Sequence, residues 1–449
     1  MDGPLSGLRV IDSTTVLAMP TAMYLMGDMG AEVVKVETHT RGRGGGGGVT
    51  YADNIPPKDS HWNRDGSFHA LHRSKLGITL NYKVPETVEA FKDLVRVSDV
   101  LAENNRPGTM DRLGLGYEEL KKIKPDLIYF SFSGFGYSGP WKNYQGIGRM
   151  FELTSGVSQF TGYPDEGPRR VGSAWFDPPN GWMAVFAILA AIHHRNQTGE
   201  GQWIDHSMYQ MGVSTVGDAL LDYIANGRNG NLMGNRHTSK APHGAYKCSG
   251  DDNWIAISVE SDNQWDALKK VMGDPEWASE DKFGDVITRW HNQDELDSHI
   301  NKWTKDFEHL NLMEKLIEAG VPSGAILNPK EVLNDPSMKG SSIFEKLEFP
   351  AETGMGTRVF LGRPWSMSDT PSHIRRPGPD LGGDNEYVLG NLLGRTETQI
   401  NELYELGGIG KKPEPMDKPG TIQDFAREVE QGTLRSYDTE YKKLLGIGP

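Results

Sequence analysis

The sequence predicts an α/β protein in which a parallel sheet is accompanied by a second, smaller α+β domain. In the first 140 residues, short apolar runs alternate with helical stretches, an order typical of parallel strands joined by helical crossovers. From residue 234 the pattern changes to a β-hairpin followed by helical stretches. The length of 449 residues exceeds one ordinary hydrophobic core and agrees with two domains.

The opening segment predicts a βαβ unit. Residues 8–12 and 31–37 are rich in valine and isoleucine, as buried strands are, and residues 20–29 predict the helix between them. Glu37, at the end of the second strand, resembles the acid that binds ribose in dinucleotide sites. The first turn, residues 13–20, contains no glycine, so a pyrophosphate could not approach the backbone closely. The sequence therefore argues against NAD binding.

The alternation continues with a helix at 85–97 and strands at 100–103 and 127–131. Loops rich in glycine and polar residues follow each of these strands. In a doubly wound sheet, ligands bind at the carboxyl ends of the strands. The sequence therefore predicts a ligand site at this edge. A run of five glycines at 44–48 predicts a mobile loop rather than a phosphate cradle.

Asp177 is the candidate catalytic residue. Pro178 and Pro179 follow it, and the apolar run 182–192 predicts a buried helix that starts there. We expect Asp177 to cap this helix and to be kept ionised by free N–H groups and the helix dipole. The residues alone allow a helix cap or a nucleophile and favour the cap, since aspartate is a common N-cap.

The domain boundary is predicted near residue 228. A helix to about residue 225 ends in the polar loop 227–231, and a hairpin follows at 244–248 and 254–258. Helices near 263–272, 294–306 and 310–319 and a strand at 324–327 complete the smaller domain. The predicted domains are residues 1–227, 228–325 and a returning part, 326–449, with helices at 387–393 and 397–406 and a surface tail rich in lysine and proline.

Composition excludes several classes of protein. The net charge is −14, from 47 basic and 61 acidic residues, which opposes general nucleic-acid binding. Cys248 is the single cysteine, so there is no intrachain disulfide or cysteine-based metal cluster, and a cytoplasmic location is expected. The N-terminus has no signal-peptide pattern, and no apolar run is long enough for a membrane span.

In their order, several segments make the sequence similar to the family III CoA-transferases, which include the formyl-CoA:oxalate and carnitine CoA-transferases. The matching segments are residues 4–12, 30–37, 103–108, 133–136 with 139–140, 198–202, 377–382 and 392–394. The family carries its nucleophilic aspartate before the helix that precedes the segment 198–202. Asp177 occupies that position, so the resemblance reverses the preference and identifies it as the nucleophile.

The resemblance implies a CoA-transferase that moves CoA from an acyl-CoA to a free carboxylic acid. Asp177 would attack the thioester to form a mixed anhydride, and CoA would return by way of an aspartyl-CoA thioester. No tightly bound cofactor is expected, because CoA is a substrate. The implied fold is a large Rossmann-like domain built from both chain ends, with the smaller domain inserted, in an interlocked dimer. The partner would be a second copy or a related subunit.

The family's CoA contacts map onto basic and amide side chains of this sequence. Arginine and lysine suit the 3′-phosphate and diphosphate of CoA. The predicted contacts are Arg73, Lys75, Asn104, Asn105, Arg112 and, as a weaker candidate, Arg41.

Two departures from the sequence of the formyl-CoA transferases bear on the identity of the acid that accepts CoA. Leu17 stands where formyl-CoA transferases carry glutamine, and residues 235–243 replace their glycine-rich loop, so oxalate is disfavoured. Aromatic residues near the predicted site would suit a bulky acid such as benzylsuccinate or a phenylacrylate. They are Trp62, Tyr144, Trp175 and Phe176.

Two other functions stay open. α-Methylacyl-CoA racemases of the same superfamily use the equivalent aspartate with an earlier histidine. Here residues 145–149 read Gln-Gly-Ile-Gly-Arg, without that second acid/base. The third possibility is a non-catalytic subunit of a heteromeric CoA-transferase, against which the presence of Asp177 argues.

Overall fold

The structure is a computed structural model that describes residues 3–41, 43, 50–57, 59–172, 174–415, 420 and 422–447. The glycine run at 44–48 and part of the predicted surface tail, 416–419, lie outside the described residues. The chain separates into two compact units. The first comprises Met1–Ser155, Gly172–Gly217 and Lys339–Pro449, and the second comprises Gly156–Val171 and Asp218–Met338. The second unit thus begins before the predicted residue 228, ends after residue 325 and takes in an additional earlier segment.

Within the described part of the chain, six strands form a parallel sheet in the first unit. They are β1 (Arg9–Ser13), β2 (Glu32–Glu37), β3 (Lys75–Thr79), β4 (Val100–Glu103), β5 (Ile128–Ser133) and β6 (Gln202–Ser207). Their order is β3-β2-β1-β4-β5-β6. The second unit contains the antiparallel strands β7 (His243–Lys247), β8 (Trp254–Ser258) and β9 (Ser323–Ile326). A hairpin of the first unit adds β10 (Phe344–Glu348) and β11 (Thr357–Leu361).

The helices connect and cover these sheets. They are α1 (Ala18–Asp28), α2 (Gly66–His72), α3 (Pro85–Arg96), α4 (Thr109–Arg112), α5 (Tyr117–Ile123), α6 (Gly148–Thr154), α7 (Asp177–Thr198), α8 (Met208–Thr215), α9 (Gly217–Asn226), α10 (Asp262–Val271), α11 (Val286–His291), α12 (Gln293–Thr304), α13 (His309–Glu318), α14 (Pro329–Asn334), α15 (Pro336–Lys339), α16 (Glu397–Glu405), α17 (Phe425–Glu430) and α18 (Tyr441–Leu445). Residues Tyr387–Leu392 form a π-helix. The helix predicted to end near residue 225 is two helices, because the backbone leaves the helical region at Val216 (φ −113, ψ 30).

The central strands explain the apolar runs of the sequence. β1 lies between β2 and β4, and Val10 pairs with Val33 on one side and with Val100 on the other. Strands covered on both faces read as continuous apolar runs. The order of the strands reverses between β1 and β4, so their carboxyl ends open a crevice, which is where ligands bind in open α/β sheets.

The C-terminal part of the chain completes the first unit at the edge strand β3. Asp384 accepts a hydrogen bond from the Gly77 N–H at 2.8 Å, and Asn385 accepts one from the Thr79 N–H at 2.9 Å. A Cβ on Gly77 would lie 2.7 Å from Pro379, so this contact requires glycine. The prediction that both ends of the chain build one Rossmann-like domain is confirmed.

The second unit has its own core. Trp265, Phe283 and Leu312 are almost fully buried between its helices and the sheet β7-β8-β9. This is the predicted smaller α+β domain. Among the described residues, no helix combines the length and the hydropathy required to cross a lipid bilayer.

Candidate active site

Asp177 is the first residue of α7 and its side chain is partly buried. Burial raises the pKa of the Asp177 carboxyl from 3.8 to about 6, and a hydrogen bond from its own backbone N–H opposes this rise. A carboxylate with a pKa of about 6 is still mainly ionised at neutral pH. It is also more basic than an exposed aspartate, which favours nucleophilic attack.

The predicted cap at Asp177 is wrong. The N-cap of α7 is Phe176, and no side chain caps this helix. Pro178 and Pro179 have no N–H groups, so two of the first four donors of α7 are missing. With so few donors, burial dominates and the pKa of Asp177 rises, whereas the sequence predicted that N–H groups would favour the ionised form.

The backbone of Gly148 lies against the Asp177 carboxylate. A Cβ built on Gly148 would be 2.9 Å from Cγ of Asp177 and closer still to Oδ2. Gly148 is the first residue of α6, which follows the loop after β5. Two further glycines of this loop, Gly134 and Gly146, approach the ring of Phe151 equally closely. Glycine is therefore required at residue 148 by the Asp177 carboxylate and at residues 134 and 146 by the Phe151 ring.

Asn180, about one turn along α7 from Asp177, and His206, on β6, are two further polar residues that the sequence analysis did not select. Asn180 is fully buried, and its Nδ2 donates a hydrogen bond to the carbonyl oxygen of Phe176 at 2.8 Å. His206, on β6, bonds Oδ1 of Asn180 through Nε2 at 3.0 Å. The only sequence signal was polarity: an asparagine in the first turn of an apolar helix and a histidine in a strand.

Gly181 brings α7 into close contact with α1. A Cβ on Gly181 would lie 2.5 Å from the Ala18 carbonyl oxygen and 2.9 Å from Cβ of Thr21. The turn between β1 and α1 contains Val16 with φ of 71, and this side chain is 61% exposed. Positive φ is strained for a β-branched residue, and strain of this kind is concentrated at functional sites.

The turn after β5 is held by β6. Asp205 accepts hydrogen bonds from the Tyr137 N–H at 3.1 and 2.9 Å with its two carboxylate oxygens. Gly136 and Gly139 both have positive φ, which glycine adopts without strain. The Tyr137 N–H is therefore bound within the protein, and an oxyanion would need other donors of this loop.

Arg73 and Lys75, both predicted CoA contacts, lie in buried ion pairs. Arg73 bonds Asp28 at 3.0 Å and covers the ring of Tyr24 at 3.9 Å. Lys75 is the first residue of β3 and bonds Asp12 at 2.8 Å, with both side chains fully buried. Burial lowers the pKa of Lys75 to about 8, and the Asp12 carboxylate opposes this. Neither cation faces solvent in this structure, and their role as CoA contacts stays a prediction.

Asn104 and Asn105 follow β4 at the crevice. The Asn104 amide accepts a hydrogen bond from the Thr15 N–H at 2.9 Å and donates one to the Thr15 carbonyl at 2.8 Å. This pair joins the loops after β1 and β4. Asn105 donates from its backbone N–H to Glu103 at 2.8 Å. The turn that Asn104 bonds leads into Ala18, which Gly181 of α7 contacts, so Asn104 and the first turns of α7 lie near the same turn.

The other predicted cations are exposed. Arg112, at the end of α4, bonds the Thr109 hydroxyl at 3.1 Å, and Arg41 follows β2. Arg106, which the sequence analysis did not select, is exposed on the loop of Asn104 and Asn105 and bonds the Asn143 carbonyl at 3.3 Å. These three arginines present charge that phosphate groups can approach.

The predicted aromatic residues occupy different environments. The ring of Phe176 is buried and packs near Gly212, whereas Trp175 stacks on it and is 41% exposed. Trp62 packs edge-on against His61. Tyr144 belongs to a group that we call the Phe135 cluster, in which four rings surround Phe135 at centroid distances of 5.0 to 6.2 Å. These rings are Trp141, Tyr144, Phe151 and Tyr209. Phe151 is on α6, the helix that begins at Gly148.

Comparison with known proteins identifies the class of this protein as the CoA-transferases of family III. The model of that family, described as CoA-transferase family III, matches residues 5–385, nearly the whole chain. The chain therefore belongs to this family, and its substrates are CoA thioesters.

Individual members of the family are similar over most of their length. The chain is 32% identical over 414 residues to the succinyl-CoA–L-malate CoA-transferase beta subunit of Chloroflexus aurantiacus, covering 90% of this chain and 98% of that protein. It is 33% identical over 375 residues to the succinyl-CoA:mesaconate CoA-transferase of Haloarcula marismortui, covering 82% and 91%. A solved CAIB/BAIF family protein from Brucella suis has a TM-score of 0.78 and 30% identity, covering 87% of this chain and 100% of that chain.

Proposed function

We propose that this chain transfers CoA from an acyl-CoA to a free carboxylic acid through covalent intermediates on Asp177. The observation that carries the proposal is the position of Asp177: a partly buried carboxylate with a pKa near 6, at a helix start, against a glycine backbone. Partial burial of the carboxylate limits the access of water, which would hydrolyse an anhydride.

The proposed reaction balances without a redox or metal step. Asp177 attacks the thioester carbonyl and expels CoA thiolate, giving a mixed anhydride. The thiolate then attacks the aspartyl carbonyl, which releases the donor acid and leaves an aspartyl-CoA thioester. The acceptor carboxylate displaces CoA from Asp177 to form a second anhydride. Thiolate attack on the acceptor carbonyl yields the new acyl-CoA and regenerates Asp177.

CoA is proposed to bind at the crevice between β1 and β4. The supporting features are the exposed cations Arg106 and Arg112 on the loop and helix after β4, with Arg41 after β2 as a further candidate. The Asn104 amide holds the loop, and the backbone around Asn105 borders the same opening. Arginine side chains suit the phosphates of CoA.

We propose succinyl-CoA as a donor and dicarboxylic acids as acceptors, since both similar transferases are named for succinyl-CoA and a dicarboxylic acid. The Phe135 cluster shares α6 with Gly148 and would accommodate an aromatic substituent. Benzylsuccinate combines a succinate backbone with a phenyl ring and is therefore a leading acceptor. Transfer rates from succinyl-CoA to malate, mesaconate, benzylsuccinate and oxalate would rank these acids as acceptors.

Trapping with hydroxylamine tests the covalent step. Protein incubated with succinyl-CoA is treated with hydroxylamine, digested and examined by mass spectrometry for a hydroxamate. We expect the hydroxamate at Asp177 and none in the Asp177→Ala variant, which should still bind CoA. A hydroxamate on another residue, or undiminished transfer by Asp177→Ala, would overturn the proposal.

The racemase alternative is not favoured by the site, because Gly148, which lies against Asp177, has no side chain to exchange a proton. The heteromeric alternative has a specific observation behind it, since one similar protein is named a beta subunit. Native mass of the purified chain distinguishes a homodimer, which we propose to be interlocked, from a subunit that needs a partner. Transfer activity of the isolated chain would exclude the non-catalytic subunit.

A further inference from the structure

We propose that Asn180 and His206 are positioning residues that hold the Phe176–Asp177 peptide in the orientation required for catalysis. The inference rests on the proposed role of Asp177 as nucleophile. Its basis is a continuous pair of hydrogen bonds: His206 Nε2 bonds Asn180 Oδ1 at 3.0 Å, and Asn180 Nδ2 donates to the Phe176 carbonyl at 2.8 Å. The peptide that accepts this bond is the one that leads directly into Asp177.

The direction of both hydrogen bonds follows from chemistry. The Phe176 carbonyl can only accept, so the Asn180 amide donates its Nδ2 to it and turns Oδ1 toward His206. Oδ1 is an acceptor, so His206 must carry its proton on Nε2. Burial lowers the pKa of His206 to about 4, and the ring is therefore neutral at the pH of the reaction. His206 thus acts as a fixed donor and not as an acid or base.

The surroundings keep the histidine ring in place. It stacks on Phe132 at a centroid distance of 5.2 Å and lies 5.7 Å from the ring of Phe130. Both phenylalanines are on β5, and Phe132 is paired with His206 in the sheet register. The strand and the two phenylalanine rings fix the position of His206, and its hydrogen bond to Asn180 in turn fixes the start of α7 relative to the sheet.

The start of α7 needs such support because of its sequence. Pro178 and Pro179 supply no N–H groups, and no side chain caps the helix. Asn180 follows both prolines and returns a side-chain hydrogen bond to the residue before the helix. Displacement of a reacting group by about 1 Å can cost about 100-fold in rate, so small changes in this turn matter.

Paired substitutions at His206 separate positioning from packing. His206→Phe keeps an aromatic ring between the strands but removes the donor, whereas His206→Gln places an amide donor at a similar distance. Hydroxylamine trapping at Asp177 measures the rate of single-turnover acylation by succinyl-CoA. The amount of CoA bound at saturation gives the fraction of each variant that is folded. We expect His206→Phe to lower the acylation rate about 10- to 100-fold with KM for succinyl-CoA changed less than about twofold. His206→Gln should recover most of the rate.

The outcomes are distinguishable. If wild-type protein gives no hydroxamate at Asp177, the proposed function fails before any variant is compared. If wild type is trapped at Asp177 and His206→Phe acylates at the wild-type rate, this inference alone is overturned. Equal losses in His206→Phe and His206→Gln would also overturn it. Should His206→Phe fail to fold, Asn180→Asp gives the same test, because it keeps the acceptor toward His206 and removes the donor to Phe176. An unchanged acylation rate in that variant would overturn the inference.

Discussion

The carboxylate of Asp177 lies against the backbone of Gly148, so closely that a Cβ at residue 148 would be 2.9 Å from Asp177 Cγ. Side chains elsewhere on α6 pack against the loop after β5. The first residue of α6 is Gly148, and because it has no side chain the Asp177 carboxylate can lie beside it. This relationship joins two distant parts of the sequence in one site.

Gly148→Ala should displace the Asp177 carboxylate and lower kcat by about 100-fold or more. Insertion of a methyl group into a packed position also costs about 1–3 kcal/mol of stability. Steady-state transfer kinetics and thermal unfolding measure the two effects. Gly217→Ala is the matched control, because a Cβ there meets nothing within 4 Å and the backbone is ordinary. Wild-type kcat in Gly148→Ala would show that the contact is not part of the catalytic arrangement.

The rate of Asp177 acylation should rise with pH and level off above pH 6 to 7. The pKa of the carboxyl is raised by burial to about 6, and only the ionised form attacks the thioester. Below that pH the rate falls about tenfold for each pH unit. Single-turnover trapping between pH 4.5 and 8.5 measures the inflection. An inflection near the usual aspartate value of about 4 would contradict the burial that the structure shows.

Asp177→Asn should stabilise the protein above pH 6. In wild type the pKa is 3.8 when unfolded and about 6 when folded. Below pH 3.8 the group is protonated in both states and costs nothing. As pH rises through this interval the unfolded state loses its proton first, so folding becomes less favourable. For a fully buried carboxyl, the ionised group would lower the free energy of unfolding by about 3 kcal/mol. Because Asp177 is partly exposed, we expect a loss of about 1–2 kcal/mol.

Thermal or denaturant unfolding at pH 8 and pH 4 measures this difference. Asp177→Asn should exceed wild type in unfolding free energy at pH 8, and the gain should be much smaller at pH 4. A gain that is the same at both pH values would mean that the carboxylate charge is not its source.

Much of the fold was predictable, because the strands of the sheet centre carry their signal locally. β1 and β4 are buried on both faces, so their sequences are apolar runs. Two prolines and an apolar segment mark the start of α7 in the sequence. β3 was missed for a physical reason: it starts at Lys75, which is buried only because Asp12 neutralises it from another strand. Its partner is 63 residues away along the chain, and short-range patterns do not show such pairs.

The candidate site was predictable in part. The order of motifs identified Asp177, but the roles of Gly148, Asn180 and His206 depend on how α6, α7 and β6 pack together. The local expectation that Asp177 caps α7 was wrong, and its pKa is raised by burial because two of the first four N–H donors are missing at the prolines. The buried ion pair of Arg73 with Asp28 likewise arises only in the folded chain.

Arg73 and Arg112 should separate stability from CoA binding. Arg73→Met leaves the buried Asp28 short of one partner and should cost about 2–4 kcal/mol, with KM for acyl-CoA unchanged in the folded protein. Arg112→Ala should leave stability unchanged and raise KM for acyl-CoA about 5- to 10-fold, as expected for one lost phosphate contact. Unfolding curves and acyl-CoA titrations check both. A raised KM in Arg73→Met at wild-type stability would support Arg73 as a CoA contact instead.

Transfer of oxygen from the acceptor acid to Asp177 tests the central claim most directly. In the proposed cycle the acceptor carboxylate forms an anhydride with Asp177, and the bridging oxygen stays on Asp177 when CoA leaves with the acceptor. Protein that turns over succinyl-CoA with an ¹⁸O-labelled dicarboxylic acid is digested and analysed by mass spectrometry. We predict that the peptide containing Asp177 gains about 2 Da after one turnover, the mass difference of one oxygen isotope, and that further turnovers label the second carboxylate oxygen as well. Turnover that leaves this peptide unlabelled would contradict a covalent intermediate on Asp177.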